Sequence, residues 1–144
     1  MQQLFNIAFS VLAAVLLLTS QAVYSQDDSL YQDLGAKSGI REITGAILDR
    51  IYADERIAFL FAETDRQNLH NLLVDQICEA TGGPCVYEGL SMVEAHSGLD
   101  IKHSEFDIFV EDSILGMTDA GIPHRVQNRL LALLAPMRRD IIKK

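Results

Sequence analysis

Apolar residues recur every three or four positions along most of the chain beyond residue 28, a pattern that predicts amphipathic helices. Ser29 is placed to cap a one-turn helix that ends at Gly35, and Ser38 to cap a longer helix that ends near Ala53. The apolar stripe of the longer helix consists of Ile40, Ile43, Ile47, Leu48 and Ile51. Gly45 within this helix costs about 1 kcal/mol relative to alanine, which suggests that a neighbouring helix approaches it closely.

A third helix is predicted to follow a cap at Thr64 or Asp65 and to stop at the Gly-Gly-Pro sequence of residues 82–84. Its apolar stripe consists of Leu69, Leu72, Leu73 and Ile77. A long helix is then expected from a cap at Ser104 to near Gly121. Its stripe consists of Phe106, Phe109, Val110, Ile114 and Met117. Both stripes indicate helices with one buried face.

The last predicted helix opens at Pro123 and should be kinked at Pro136, because proline lacks a backbone donor and clashes with the preceding turn. Its stripe consists of Val126, Leu130, Leu133, Leu134, Met137 and Ile141. The connection 54–65 is unusually apolar for a loop and must cover either the core or an apolar ligand. No segment alternates as a strand does, so the predicted class is all-α, with four main helices.

The N-terminus is predicted to be a secretory signal peptide of residues 1–25, followed by one domain of residues 26–144. The apolar run from Phe5 to Leu18 is too short for a comfortable membrane span, which needs roughly 20 residues, and small residues precede the expected cleavage after Ser25. Export to the periplasm is therefore expected. An uncleaved membrane anchor is the alternative, because no Lys or Arg precedes the run.

Charge and cysteine content narrow the partners and the compartment. The formal net charge of −8 argues against nucleic acid or anionic lipid as a partner. Cys78 and Cys85 are the two cysteines of the chain, and in an oxidising compartment they are expected to form a disulfide across residues 82–84. Zinc binding is the weaker reading, because no histidine lies at a suitable spacing.

His96 is the residue with the clearest candidate chemistry. It follows Met92 and Val93 on a short segment that ends at Ser97-Gly98, so on a helix the three side chains share one face. A neutral imidazole on such a helix is suited to be an axial ligand of haem iron. Taken by itself, however, a lone histidine on an apolar face is more often a packed core residue.

The order of these elements resembles the group 1 truncated haemoglobins. The resemblance runs from about Ser29 to Ile142 and rests on the combination of several short stretches. These are SLYQDLG near the start, the FLFAETD loop, ATGGP followed by Tyr87-Glu88-Gly89, MVEAHSGL around His96, SEF, and the GIP and LLALLAPMRRDI sequences near the end. The resemblance implies a two-over-two helical sandwich around haem b.

Matched by position, the resemblance implies that His96 is the proximal ligand of the haem iron and that Phe61 packs on the porphyrin. Further positions implied to contact the haem are Leu69, Leu73, Met92, Ile101 and Phe106, with Thr64 and Tyr87 near the propionate edge. On the distal side, where family members often carry a tyrosine and a glutamine or histidine, this chain has Leu48, Leu69, Leu72 and Leu73. None of these can donate a hydrogen bond, which predicts weaker retention of oxygen.

The leading interpretation is an exported haem protein that binds O2, NO or CO and carries oxygen or scavenges nitric oxide. Conversion of nitric oxide to nitrate would need an external reductase. A gas-sensing, redox-sensing or haem-shuttling module that acts through a protein partner is the alternative, and a haem-free helical module is a third. His70 is a candidate sixth ligand or an exposed polar residue, His103 and His124 receive no role, and a monomer is favoured.

Overall fold

The computed structural model describes residues 29–142, and the predicted signal peptide lies outside them. The helices are α1 (Ser29–Asp33), α2 (Ala36–Ala53), α3 (Arg66–Ala80), α4 (Met92–His96), α5 (His103–Asp119), α6 (His124–Leu134) and α7 (Arg138–Ile141). Short 3₁₀ helices at Ala58–Phe61 and Ala135–Met137 complete the set, and residues 29–142 contain no strand, so the all-α prediction is confirmed. None of these helices is long and apolar enough to cross a bilayer.

Helix α2 is the centre of the packing, because it contacts both α3 and α5 along their lengths. Helices α5 and α6 pair in turn, α1 rests on α2 and α6, and α4 packs against α7. The core is formed mainly by the predicted stripe of α2, of which Ile40, Leu48 and Ile51 are almost fully buried. These contacts give the two-over-two arrangement of α2 with α3 and α5 with α6.

The beginning of α2 differs from the prediction that Ser38 would cap it. The cap is Gly35, three residues before Ser38, and the helix begins at Ala36, because Gly35 turns the chain in the left-handed region with φ 81°. Ser38 lies in the first turn, where its hydroxyl donates to the carbonyl of Gly35. At α3 the Asp65 prediction is confirmed, since its carboxylate accepts from the backbone N–H of Asn68 at 3.0 Å.

The close approach predicted at Gly45 is wrong, and Gly116 provides one instead. A Cβ atom at Gly45 would meet only the His70 ring, at an ordinary contact of 3.9 Å. A Cβ at Gly116 would lie 2.6 Å from the Cα of Ile47. Helices α5 and α2 therefore cross in backbone contact at Gly116, which has no room for a side chain.

The C-terminal helix is interrupted near Pro136 rather than kinked there. Helix α6 ends at Leu134, the 3₁₀ turn carries Pro136, and α7 begins at Arg138. The missing backbone donor and the ring clash of proline account for the interruption. Helix α5 begins at His103 rather than after Ser104, and the Glu105 carboxylate accepts from the N–H of Lys102 at 2.8 Å.

Candidate functional site

Helix α4 carries His96 and is only five residues long. Its start is fixed by a capping box, in which the Ser91 hydroxyl accepts from the N–H of Glu94 while the Glu94 carboxylate accepts from the Ser91 backbone. The Ser91 hydroxyl also donates to this carboxylate at 2.6 Å, and these bonds lower the pKa of Glu94. The cap therefore orients a helix that would be too short to form alone.

The His96 ring is half-buried and oriented by its own helix. Its Nδ1 lies 2.7 Å from the carbonyl oxygen of Met92, one turn earlier. A carbonyl can only accept, so Nδ1 carries the proton and donates it. In the neutral ring the lone pair is then on Nε2, which makes no hydrogen bond to any of the residues that the structure describes. Metal-ligating histidines characteristically donate their second nitrogen in this way.

The apolar residues predicted around His96 fall into two groups. Leu48 belongs to the core, and the half-buried Phe61, Leu69 and Leu73 pack against it. A second group is half-buried and lies outside that core cluster, and it consists of Leu72, Met92 and Phe106. Ile101, between α4 and α5, is 7% exposed. Partly covered apolar side chains on the helices around α4, together with a free imidazole nitrogen on α4, are the residue types that suit a flat apolar group coordinated through a metal, as haem is.

Three side-chain contacts that the sequence did not indicate help to hold this region. Gln76 of α3 donates its amide to the Met92 sulfur at 3.5 Å, which ties α3 to α4. The Arg138 guanidinium lies 4.8 Å from the centre of the Phe106 ring and bonds Asp107, lowering the pKa of that carboxyl. The partners of all three contacts are distant in sequence, and neither Gln76 nor Arg138 belongs to an apolar stripe, so periodicity could not reveal them.

The side of the site formed by α2 and α3 is apolar at the predicted distal positions. Leu48 is 1% exposed, and Leu69, Leu72 and Leu73 are half-buried. Tyr52, one helical turn after Leu48, packs against Phe61 with ring centroids 5.8 Å apart, and the Arg66 guanidinium covers it. The Tyr52 hydroxyl is buried without a hydrogen-bond partner among residues 29–142. The sequence could have indicated this position of Tyr52, because residues four apart on a helix, such as Leu48 and Tyr52, share a face.

The two hydroxyl residues predicted near a haem edge lie in different settings. The Tyr87 hydroxyl donates to the carbonyl of Leu90 at 2.9 Å, so its only proton already makes a hydrogen bond. Partial burial raises the pKa of the Tyr87 phenol. Thr64 is exposed in the turn before α3. The contact of either hydroxyl with a propionate stays a prediction.

Two further histidines are engaged elsewhere in the fold. His70 is half-buried, and its Nε2 donates to the carbonyl of Arg41 on α2 at 3.0 Å, which accounts for its position off the α3 stripe. His103 is exposed and accepts from Arg138 at 3.2 Å. A role for His70 as a sixth ligand would require this bond to α2 to break.

Cys78 and Cys85 form a disulfide. Cys78 is fully buried in α3, whereas Cys85 begins the segment that leads to α4. Gly83 lets the chain turn between them, because a Cβ there would lie 2.6 Å from the Tyr31 ring and 2.7 Å from the sulfur of Cys78. The bridge thus attaches the segment before His96 to the end of α3.

Comparison with known proteins gives consistent results. The sequence model of the family described as bacterial-like globin matches residues 29–143. A group 1 truncated hemoglobin of Tetrahymena pyriformis is 25% identical over 120 residues, covering 83% of this chain and 99% of its own length. One from Synechocystis is 28% identical over 124 residues, covering 81% and 98%. The crystal structure of the Tetrahymena pyriformis protein in its Fe(III) form superposes with a TM-score of 0.76 at 26% identity, covering 80% of this chain and 98% of its own.

Proposed function

Because the chain belongs to the bacterial-like globin family and is a group 1 truncated haemoglobin, we propose that it holds haem b on His96 and reversibly binds O2, NO or CO there. Family membership implies haem-based gas binding in general terms. The observation that supports His96 as the ligand is its Nδ1 bond to the Met92 carbonyl, which leaves the Nε2 lone pair available. The supporting comparison is with proteins of the same class, including one solved as the Fe(III) form.

Each residue of the site would have a simple task. His96 would supply the axial nitrogen, and the Met92 carbonyl would keep the ring in one tautomer and one orientation. Phe61, Ile101 and Phe106 would contact the porphyrin and exclude water from it. When bound, the haem supplies a redox-active iron with an open position for a diatomic gas.

The leucine-lined side of the site would shape the choice of gas. Bound O2 carries partial negative charge, and one hydrogen-bond donor beside it is worth roughly 1–3 kcal/mol, or about one to two decades of affinity. Leu48, Leu69, Leu72 and Leu73 offer no such donor. We therefore expect weak retention of O2 and a relative preference for CO and NO.

The same site would suit oxygen carriage or nitric oxide scavenging outside the cytoplasm. The apolar run of residues 5–18 supports export to the periplasm, with the domain of residues 26–144 acting as a monomer. If nitric oxide is converted to nitrate, the iron must be returned to its ferrous state by an electron-donating reductase. Acid–base catalysis beside the bound gas is not proposed, because the four distal positions carry leucines, which can neither donate nor accept a proton.

The test is the absorption spectrum of residues 26–144 reconstituted with haem, in the ferric, ferrous and CO-bound states. The wild-type chain should give spectra of histidine-ligated haem. The substitution His96→Gly should abolish or alter them, with partial recovery on adding imidazole, which replaces the lost side chain. The exposed His124 provides the matched control, because His124→Gly should leave the spectra unchanged. Spectra of the His96→Gly variant identical to wild type would refute the assignment.

A redox-sensing role acting through a partner is the second candidate, and the disulfide favours it. The bridge between Cys78 and Cys85 joins α3 to the segment that leads to His96, so its reduction would free that segment. A sensor should change its CO association rate when dithiothreitol reduces the bridge. A Cys78→Ser, Cys85→Ser double variant should have the CO association rate of the dithiothreitol-treated protein, and adding dithiothreitol to it should not change that rate. If the wild-type chain and the double variant have equal CO association rates with and without dithiothreitol, gas binding is unaffected and the sensing role is refuted.

A further inference from the structure

The loop of residues 86–90, which leads into α4, is held by restraints on both sides. Cys85 is bridged to Cys78 immediately before it, and the capping box of α4 begins at Ser91 immediately after it. Within the loop the Tyr87 hydroxyl donates to the carbonyl of Leu90 at 2.9 Å. Gly89 lets the tyrosine fold back, since a Cβ there would lie 2.3 Å from the hydroxyl oxygen. While α4 is formed, the shape of this loop is therefore fixed before any partner arrives.

The rigid loop presents apolar side chains to solvent. Val86 is 68% exposed and Leu90 is 61% exposed. A flexible loop could turn such side chains inward, but this one is restrained at both ends. Preorganised apolar side chains that stay in water are a feature of binding surfaces, because the entropy of ordering has already been lost.

The charges around these side chains have one sign. From residue 79 to residue 101 the chain carries four carboxylates, Glu79, Glu88, Glu94 and Asp100, and no Lys or Arg. None of these carboxylates makes an ion pair with the residues that the structure describes, and Glu94 bonds only to Ser91 in the cap of α4. The basic side chains of α7, which packs against α4, are already paired, Arg138 with Asp107 and Arg139 with Asp140.

We propose that the 86–90 loop, with the carboxylates that flank it, is the docking surface for a redox protein with an apolar contact patch and a rim of Lys or Arg. The carboxylates complement such a rim, whereas they would repel anionic lipid and a second copy of this acidic chain. The loop ends two residues before Met92, the residue that orients His96, and so lies next to the site of the proposed function. The inference rests on that function and names its electron donor by chemical class.

The electron transfer is balanced by two one-electron changes. The docked partner would give up one electron and be oxidised by one equivalent, and ferric haem iron held by His96 would take up that electron to become ferrous. No bond is formed between the two proteins. Docking needs only the complementary surfaces, so it can be measured without following the iron.

The experiment uses protein expressed from the 144-residue sequence, loaded with haem and labelled with 15N. Cytochrome c serves as the lysine-rich redox probe and cytochrome b5 as an acidic one. Amide shift changes map the contact surface. Stopped-flow absorption follows the reverse transfer, from the ferrous chain to ferric cytochrome c, at several salt concentrations, and this rate reports docking at the same surface. Cytochrome c should shift the amide signals of residues 85–95, and the rate of electron transfer to it should fall as the salt concentration rises. Cytochrome b5 should show neither the amide shifts nor the salt-dependent rate.

Matched variants separate the surface from general effects. Glu88→Lys should lower the low-salt rate about three- to tenfold, whereas Glu55→Lys, an exposed charge on another segment, should change it less than twofold. Leu90→Ser should weaken binding about three- to tenfold, whereas Leu133→Ser, 41% exposed on α6, should not.

Several outcomes would overturn the docking surface. The proposal is wrong if the amide shift changes map away from residues 85–95, or if the matched variants have equal effects. It is also wrong if the loop shifts depend on the concentration of the chain itself, because that dependence would indicate self-association. If haem does not bind, the proposed function fails, and the amide shifts of the haem-free chain still decide whether the surface binds cytochrome c. If haem binds and the shifts lie elsewhere, only the docking surface is wrong.

Discussion

The contact between α2 and α5 at Gly116 makes a sharp prediction for the substitution Gly116→Ala. The added Cβ would lie 2.6 Å from Cα and 2.7 Å from N of Ile47. Non-bonded carbon atoms prefer separations of about 3.5–4.0 Å, so the two helices must separate by roughly 1 Å. Because the obstacle is backbone, no change of side-chain rotamer can relieve the clash.

The expected magnitude combines two opposing terms. Alanine is better than glycine in a helix interior by about 1 kcal/mol. Overpacking in a well-packed core costs typically about 1–3 kcal/mol, and a backbone clash belongs at the upper end of that range. Gly116→Ala should therefore lower the free energy of unfolding by roughly 1–2 kcal/mol.

Gly45→Ala is the matched control, because Gly45 also lies within a long helix. Its added Cβ would meet only the His70 ring at 3.9 Å, so the helix-propensity gain should remain and stabilise the protein by roughly 0.5–1 kcal/mol. Both free energies of unfolding are measured by urea denaturation at equal haem content, which keeps the contribution of the bound ligand the same. If both variants were stabilised alike, the backbone contact of α2 with α5 would be refuted.

Two further substitutions test the site and the core. Leu48→Tyr places a hydroxyl at a distal position and should slow O2 dissociation about 10- to 100-fold in stopped-flow measurements. Leu48→Phe is the control, because it lacks the hydroxyl and should not slow dissociation. Equal O2 dissociation rates for the two variants would contradict a pocket that is poor in hydrogen-bond donors. Asp112 is 4% exposed on α5, and burial together with the nearby Asp54 raises its pKa. Since the folded state favours the neutral acid, its contribution to stability is present at low pH and is lost as pH rises through the folded pKa. Asp112→Asn should therefore stabilise the protein by about 1 kcal/mol at pH 8 and by nothing near pH 3, as urea titrations at both pH values would show; an equal gain at both would exclude ionisation as the cause.

The helices were predictable because their apolar stripes have a clear period. The stripe from Ile40 to Ile51 is the core of the structure, and the Asp65 cap is where the sequence placed it. The start of α2 was not predictable from Ser38, because Gly35 can adopt a left-handed conformation that moves the helix start upstream. A capping residue indicates where a helix can begin, and the neighbouring backbone decides whether it does.

The candidate site was less accessible from the sequence. His96 was recognisable from its neighbours, yet the Nδ1 bond to Met92 depends on a ring orientation that no spacing specifies. Gly45 and Gly116 illustrate the same limit, because both are glycines within helices and only the crossing of α2 with α5 distinguishes them. Contacts between distant elements, such as Gln76 with Met92, carry no periodic pattern at all.

The shortness of α4 has a consequence for how tightly the site can hold its cofactor. Five residues form little more than one turn, none of them is fully buried, and isolated helices of that length are unstable in water. In the haem-free protein this turn should open and close as a local unfolding unit, with amides that exchange faster than those of α2. Coordination through His96 would then order the turn, so the measured haem affinity would include the free energy of folding it. Mutations that only strengthen the turn, with no contact to haem, would slow haem loss.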